Sequence, residues 1–283
     1  MADIVFTYNG KRVSPSSGKV LGKKALPAIT TRSMRFDFKY DHFNPITDLT
    51  DLSASGFIWT HVADDVYDFH YDNADWGVRT LPIGTGGLFN VYGYKSGETA
   101  VYPMGRHQYD VLDMDLTNVT TVSNLFASAR QVQNIFSIRN TSTVTNFRYF
   151  LGHNKGFVIT SIPLFDTSSA TDMSHMFQAC NLLTSVPLFN TSNVTTTGAM
   201  FSNCSSLTSV PLFNTSNVTD VSNMFKNCTA VESGALALYQ QMANQATPPS
   251  SHQGCFANCG SNTTTGAAEL AQIPTSWGGT MAE

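Results

Sequence analysis

Aromatic and acidic side chains alternate in the stretch WTHVADDVYDFHYDNADW, which runs from Trp59 to Trp76. Sugar rings stack their C–H faces on aromatic rings while their hydroxyl groups bond to carboxylates, so this mixture is what a carbohydrate site needs. The same alternation also fits a β-hairpin with a buried aromatic face and a solvated acidic face. The candidate ligand-binding residues of this stretch are Trp59, Tyr67, Tyr71 and Trp76.

Catalytic patterns are weak in this sequence. Among the 20 acidic residues, no spacing picks out a general acid and a nucleophile for glycoside hydrolysis. No Ser-His-Asp or Cys-His arrangement can be singled out, and the glycine run at residues 84–87 lacks the lysine and the helix of a phosphate loop. We therefore expect a protein that is not an enzyme and that needs no cofactor and no metal.

Three of the five cysteines, Cys180, Cys204 and Cys228, recur at a constant interval. If the chain stacks at this period, equivalent residues lie about 4.8 Å apart, and their side chains point the same way. We expect a ladder of buried, reduced thiols that act as small apolar residues. Cys255 and Cys259 leave a disulfide or metal site open as an alternative, although the zinc-ligand spacing is incomplete.

Basic residues are concentrated near the N-terminus, in a segment from Met1 to Ser33 where only Asp3 opposes them. The remainder of the chain is acidic, because the formal net charge of the whole is −4, and an acidic body disfavours nucleic acid. Short apolar segments between these cations favour an arm that docks on an acidic patch of another subunit, although a solvated, disordered tail is the alternative. The candidate anchoring residues are Lys11, Arg12, Lys19, Lys23, Lys24 and Arg32.

The strongest pattern is a repeated unit, with clear copies that begin at Ser161, Ser185 and Ser209. Two weaker copies precede them when the alignment is anchored on the Asp or Asn that follows each apolar stretch. These anchors are Asp115, Asn140, Asp166, Asn190 and Asn214. A short unit repeated at a fixed period can bury its apolar positions only against its neighbours, so five repeats predict a solenoid.

Each repeat carries two kinds of local pattern. In the clearest copy, apolar residues from Leu207 to Leu212 predict a short strand, which ends in a turn at Asn214. The next apolar residues, from Val218 to Phe225, fall at i, i+3, i+6 and i+7, which predicts a short helical return. A short strand plus a short helical return per repeat is an α/β architecture.

The repeat resembles the BspA-type leucine-rich-repeat family, through the elements LTSVPLF, NTSNVTD and MFxxC within Leu183 to Cys228. This resemblance implies an α/β leucine-rich-repeat-like solenoid. The stretch from SGALALYQQM to GAAELAQIPTSWGG is also similar to the end of such repeat proteins encoded by phages of gut bacteria.

Four segments follow along the chain. We expect a basic extended arm over residues 1–33, a small β-rich domain over 34–110, the five-repeat solenoid over 111–230 and a helical C-terminal cap over 231–283. In the cap, apolar spacing predicts a helix from Gly234 to Asn244 and a second from Gly266 to Gln272, with Trp277 placed to cover the last repeat.

No apolar run of membrane-spanning length and no secretory signal are visible, so we expect no membrane insertion. Together with the resemblance, this favours a virion protein that is assembled in the host cytoplasm, of the tail-fibre, tail-tip or head-decoration type. A purely structural virion subunit and a bacterial surface adhesin are the alternatives.

The expected partners are other virion proteins and a glycan or protein on the host cell, with a homotrimer possible. Exposed hydroxyl groups on the repeats supply the candidate recognition residues, which are Thr184, Ser185, Thr208 and Ser209.

Overall fold

The computed structural model describes residues 6–8, 11–14, 19–20, 33–37, 58–63, 66–70, 109–127, 132–152 and 158–282. The basic N-terminal segment contains three short strands, β1 (Phe6–Tyr8), β2 (Lys11–Ser14) and β3 (Lys19–Val20). They pair antiparallel in the order β1-β2-β3. The described part of this segment is therefore a small antiparallel sheet, and the role of the segment as an arm stays a prediction.

A second, mixed sheet covers the start of the repeats. Its strands are β4 (Ser33–Asp37), β5 (Ile58–Ala63), β6 (Val66–His70), β7 (Tyr109–Asp115), β8 (Val132–Ile135) and β9 (Ile138–Arg139). The order is β5-β6-β4-β7-β8, and β9 also pairs with β7. β4 pairs antiparallel with β7, while β8 and β9 pair parallel with it. Strands β4 to β6 thus shield the edge of the first repeat, which would otherwise be an open template for pairing.

The predicted boundary between a β-rich domain and the repeats falls inside β7. Phe36 of β4 and Tyr109 of β7 are both fully buried, and their rings meet edge to face with centroids 5.3 Å apart. The sheet and the core therefore continue across residue 110. The division of the chain into four segments stays a prediction.

Consecutive repeats pair with one another through isolated parallel bridges at one position per repeat. The bridged residues, in chain order, are Thr121, Asn146, Asp172, Thr196, Asp220 and Ser251. Backbone N–H groups on either side of each bridge donate to carbonyls of the adjacent repeat, so that neighbouring segments are held in register. The assignment of the whole chain to the leucine-rich-repeat-like solenoid class stays a prediction.

The return of each repeat is built from turns, not from the predicted helix. In the clearest copy, the N–H groups of Val221, Asn223 and Phe225 donate to carbonyls of the next copy at 2.8, 3.1 and 2.8 Å, so they make no bonds within a helix. Asn223 and Asn227 adopt positive φ angles of 54° and 60°, which a right-handed helix does not allow. A helix and this series of turns would both place the same apolar residues inward. The apolar spacing alone was therefore misleading.

Phenylalanine rings from successive copies stack in the middle of the core. The centroids of Phe177 and Phe201 are 5.4 Å apart, those of Phe201 and Phe225 are 5.2 Å apart, and those of Phe225 and Phe256 are 6.0 Å apart. The interplanar angles are only 10°, 12° and 4°. Equivalent side chains therefore meet because the repeats are in register, as expected for residues at the same position of adjacent copies.

A sixth copy of the return lies within the segment predicted as the C-terminal cap. The segment SHQGCFANC, at 251–259, aligns with DVSNMFKNC, at 220–228, and the offset between them is longer than that between the clear copies. Ser251 bridges Asp220, and the N–H of Asn227 donates to the carbonyl of Ala257 at 2.7 Å. The period alone does not reveal this copy, because a helix and a loop lengthen the chain between it and the copy before.

That inserted helix, α1 (Ala235–Ala243), and a second helix, α2 (Thr264–Leu270), lie close to the predicted bounds. A 3-10 helix (Thr275–Trp277) follows them. Trp277 is buried, as predicted for a residue that covers the last repeat: its carbonyl accepts from the N–H of Phe256 at 2.9 Å, and its ring stacks on His252 with centroids 4.2 Å apart.

The two helices of the cap are joined by a carboxylate. Gly234 precedes α1 at φ 95°, and no side chain of its own caps this helix. Instead Glu269 of α2 accepts hydrogen bonds from the N–H groups of Gly234 (3.3 Å) and Leu236 (3.0 Å). Its negative charge also opposes the positive end of the α1 dipole.

Replacing Glu269 with alanine should lower the free energy of unfolding by about 1–2 kcal/mol, because two N–H groups of α1 lose their acceptor. Urea denaturation followed by circular dichroism would measure the change. Glu232→Ala is the matched control, since Glu232 is exposed and its removal should cost less than about 0.5 kcal/mol. Equal stability of the two variants would contradict the capping role.

Candidate functional site: an uncharged face of the repeats

The predicted hydroxyl-bearing residues lie together on one exposed side of the repeats. Thr184, Ser185, Thr208 and Ser209 are all exposed. The N–H and the hydroxyl of Thr184 both donate to the carbonyl of Thr160, at 2.9 and 3.0 Å. Thr208 repeats this arrangement on Thr184, at 3.1 and 3.2 Å. The threonine hydroxyls therefore donate to the preceding repeat and help to hold the repeats in register. For a ligand they can act only as hydrogen-bond acceptors.

Leucine side chains at the other end of the same segments were missed by the sequence reading. Leu164, Leu188 and Leu212 occupy equivalent positions and are 64%, 63% and 55% exposed. The repeat period could have revealed them, but we assumed that every apolar residue of a repeat belongs to the hydrophobic core. We define the Ser–Leu face as the exposed residues of segments 158–164, 182–188 and 206–212.

Most of the exposed large apolar side chains of the described ranges belong to this face. Five of the six lie on it, namely Val158, Leu164, Leu182, Leu188 and Leu212. Single exposed apolar residues are ordinary, whereas a contiguous group marks an interaction surface. Such an array at equivalent positions of three copies therefore identifies the strongest candidate site among the residues that the structure describes.

Proline and an Asx turn hold each leucine outward. Pro187 fixes its own φ angle and biases Val186 toward extended backbone, and it has no N–H to donate to a neighbouring repeat. Two residues after Leu188, Asn190 accepts a hydrogen bond from the N–H of Ser192 at 3.0 Å, which closes the turn. Phe189, between Leu188 and this turn, is buried. The chain therefore alternates direction, with Phe189 inside and Leu188 outside.

The aromatic and acidic stretch is only partly described. Trp59 lies on β5 and Tyr67 on β6, two strands that pair antiparallel in agreement with the hairpin reading, while Tyr71 and Trp76 fall outside the described residues. Asp68 is not a solvated acid, because it accepts two hydrogen bonds from the buried guanidinium of Arg35 at 2.5 and 2.6 Å. A role of this stretch in binding stays a prediction.

The anchoring residues of the N-terminal segment are also partly described. Lys11 and Arg12 lie on β2 and Lys19 lies on β3. Lys23, Lys24 and Arg32 fall outside the described residues. Their role in attachment stays a prediction.

All five cysteines are free and buried, which agrees with the reduced thiols predicted for Cys180, Cys204 and Cys228. The thiols of Cys180, Cys204 and Cys228 donate to the carbonyls of Leu151, Phe177 and Phe201 in the preceding repeats, at 3.3, 3.1 and 3.1 Å. Burial raises the pKa of Cys204 and that of Cys259 to about 12. Cys255 and Cys259 are not joined by a disulfide, and within the described ranges no three His, Cys, Asp or Glu side chains form a group that could hold a metal ion.

The comparisons with known proteins bear on this repeated region. A family model described as "Mycoplasma protein of unknown function, DUF285" matches residues 98–208 and 154–247, which together make up more than half of the chain. The chain belongs to this family. DUF285 is associated with BspA-like repeat proteins, so the resemblance predicted from the sequence is confirmed at that level.

The leucine-rich-repeat type and the link to phages stay predictions. No curated protein and no solved structure matches the chain. No helix in the described part of this DUF285 chain is long and apolar enough to cross a membrane.

Proposed function

We propose that this DUF285 chain is a non-enzymatic recognition protein of a phage virion, with a leucine-rich-repeat-like solenoid that uses the Ser–Leu face to bind the surface of the host cell. The observation that carries the proposal is the concentration of exposed leucine, serine and threonine residues at equivalent positions of three repeats. Side chains at those positions contribute little to the core. Their recurrence is best explained by a partner outside the chain.

In this proposal the rigid part of the protein presents the face and the N-terminal segment attaches it to the particle. The backbone bonds between Thr160, Thr184 and Thr208 fix the spacing of the face, so a ligand would meet a preformed surface. The cations at Lys11, Arg12 and Lys19 would match an acidic patch on a neighbouring virion subunit.

Adsorption of particles that carry Leu188→Asp tests the recognition role. A carboxylate in the middle of the face should reduce the adsorption rate at least about tenfold, since one poorly placed charge in a desolvated contact costs more than about 1.4 kcal/mol. Ser216→Asp is the matched control, because it adds the same charge to an exposed turn residue outside the face.

Three readouts separate the parts of this proposal. Mass spectrometry of purified particles should detect the chain, and its absence there would contradict a virion role. Circular dichroism should show the same fold for both aspartate variants. If particles with Leu188→Asp adsorb as well as those with Ser216→Asp, the face does not recognise the host, and a purely structural subunit becomes the better explanation.

A further inference from the structure

We infer that the occupant of the Ser–Leu face is an uncharged glycan chain, an inference that rests on the recognition role proposed above. The first reason is charge. Segments 158–164, 182–188 and 206–212 contain no Asp, Glu, Lys, Arg or His. A carboxylated or sulfated ligand would lose hydration on this face without gaining a charged partner, so the face selects against it.

The second reason is size. Three repeats spaced about 4.8 Å apart, each with a stretch of extended residues that rise about 3.3 Å apiece, form a surface of only about 300 Å². A stable protein interface needs about 800 Å² on each partner, so a folded partner or a second copy would find too little area on this face alone. The dimensions suit a slender ligand.

The third reason disfavours an extended peptide, the other slender ligand. Peptides that add to a sheet bond to free N–H and C=O groups at an edge. Here the N–H groups of Thr184 and Thr208 donate to the preceding repeat, and that of Val210 donates to the carbonyl of Ser233 at 2.9 Å. At these positions an added peptide strand would find no free N–H partner, and each of its amides left without one is costly.

The fourth reason is the pattern of chemical groups. Ser161, Ser185 and Ser209 are exposed, and within the described ranges their hydroxyls bond to no other protein group, so each can both donate and accept. Leu164, Leu188 and Leu212 form an apolar column beside them. A sugar unit has hydroxyl groups along its edge and C–H groups on its ring faces, and these match the two columns.

Binding of the full chain to immobilised glycans tests this inference. The probes are neutral polymers of glucose, mannose and galactose, with polygalacturonate and heparin as anionic counterparts and a library of neutral extended peptides. We expect at least one neutral polymer to bind, and we expect Leu188→Ala to weaken that binding about tenfold and Ser185→Ala about fivefold. Ser216→Ala, an exposed serine outside the face, should leave the affinity unchanged.

Methyl NMR spectra locate the contact independently of the variants. Addition of the bound polymer should shift the methyl signals of Leu164, Leu188 and Leu212 and leave those of buried Leu207 and Leu238 in place. Binding only to the anionic polymers, binding only to peptides, or no binding to any neutral polymer would overturn the inference. If adsorption still depends on Leu188 in those cases, the recognition role stands and the class of ligand is wrong.

Discussion

Replacing Phe201 with alanine should lower the free energy of unfolding by about 3–5 kcal/mol, the usual cost of truncating a fully buried aromatic residue. Phe201 is completely buried, and its ring stacks on Phe177 and Phe225 with centroids 5.4 and 5.2 Å apart. Its centroid is also 6.0 Å from that of Phe213. The copies on both sides hold these neighbours by backbone bonds, so the cavity cannot close easily.

Urea denaturation at neutral pH, followed by circular dichroism, measures this effect. Leu188→Ala is the control, because it removes an apolar side chain that is mostly exposed and should cost less than about 0.5 kcal/mol. A loss below about 1 kcal/mol for Phe201→Ala would mean that the ring stack does not form a tightly packed core.

The stability of the protein should fall steeply above about pH 9. Burial raises the pKa of Cys204 and of Cys259 from 9.0 to about 12. A raised pKa means that the folded state favours the protonated thiol. The contribution of each thiol to the free energy of unfolding is complete below the pKa of the unfolded thiol. It is lost as the pH rises through the pKa of the folded thiol. Each thiol should therefore lower the free energy of unfolding by about 1.4 kcal/mol per pH unit between pH 9 and 12.

Burial also raises the pKa of Cys180, Cys228 and Cys255, so the decline in stability should exceed that from two thiols alone. Urea midpoints at pH 8, 9, 10 and 11 would measure it. In the double variant Cys204→Ala and Cys259→Ala, the slope should be shallower by about 3 kcal/mol per pH unit, because two titrating groups are gone. Identical slopes in the parent and the double variant, or ultraviolet thiolate absorbance from the folded protein near pH 9, would contradict the prediction.

The repeat period made part of the structure predictable. Phe177, Phe201 and Phe225 lie one period apart in the sequence, and their rings stack in the core. The period also predicted the buried thiols, whereas helical spacing of apolar residues predicted the helix α1. These features depend on period and local spacing, which the sequence states directly.

Other features were not predictable in this way. The spacing from Val218 to Phe225 fits a helix and a chain of turns equally well, and only the bonds to the next copy distinguish them. Asn223 and Asn227 were the available signal, since asparagine tolerates the positive φ that ends helices. The candidate site was half predicted: Thr184 and Ser185 were named, but the outward direction of Leu188 was not.

The sequence by itself determined which residues are equivalent, because equivalence is a matter of period and residue type. The tertiary structure alone decided which apolar residues face solvent, because Leu188 and Phe189 are adjacent apolar residues and only the fold places one outside and the other inside. It also decided how the ends are closed, since the pairing of β4 with β7 and the contact of Glu269 with α1 join segments that are far apart in sequence. Local patterns carry no record of such long-range contacts, which exist only once the chain has folded.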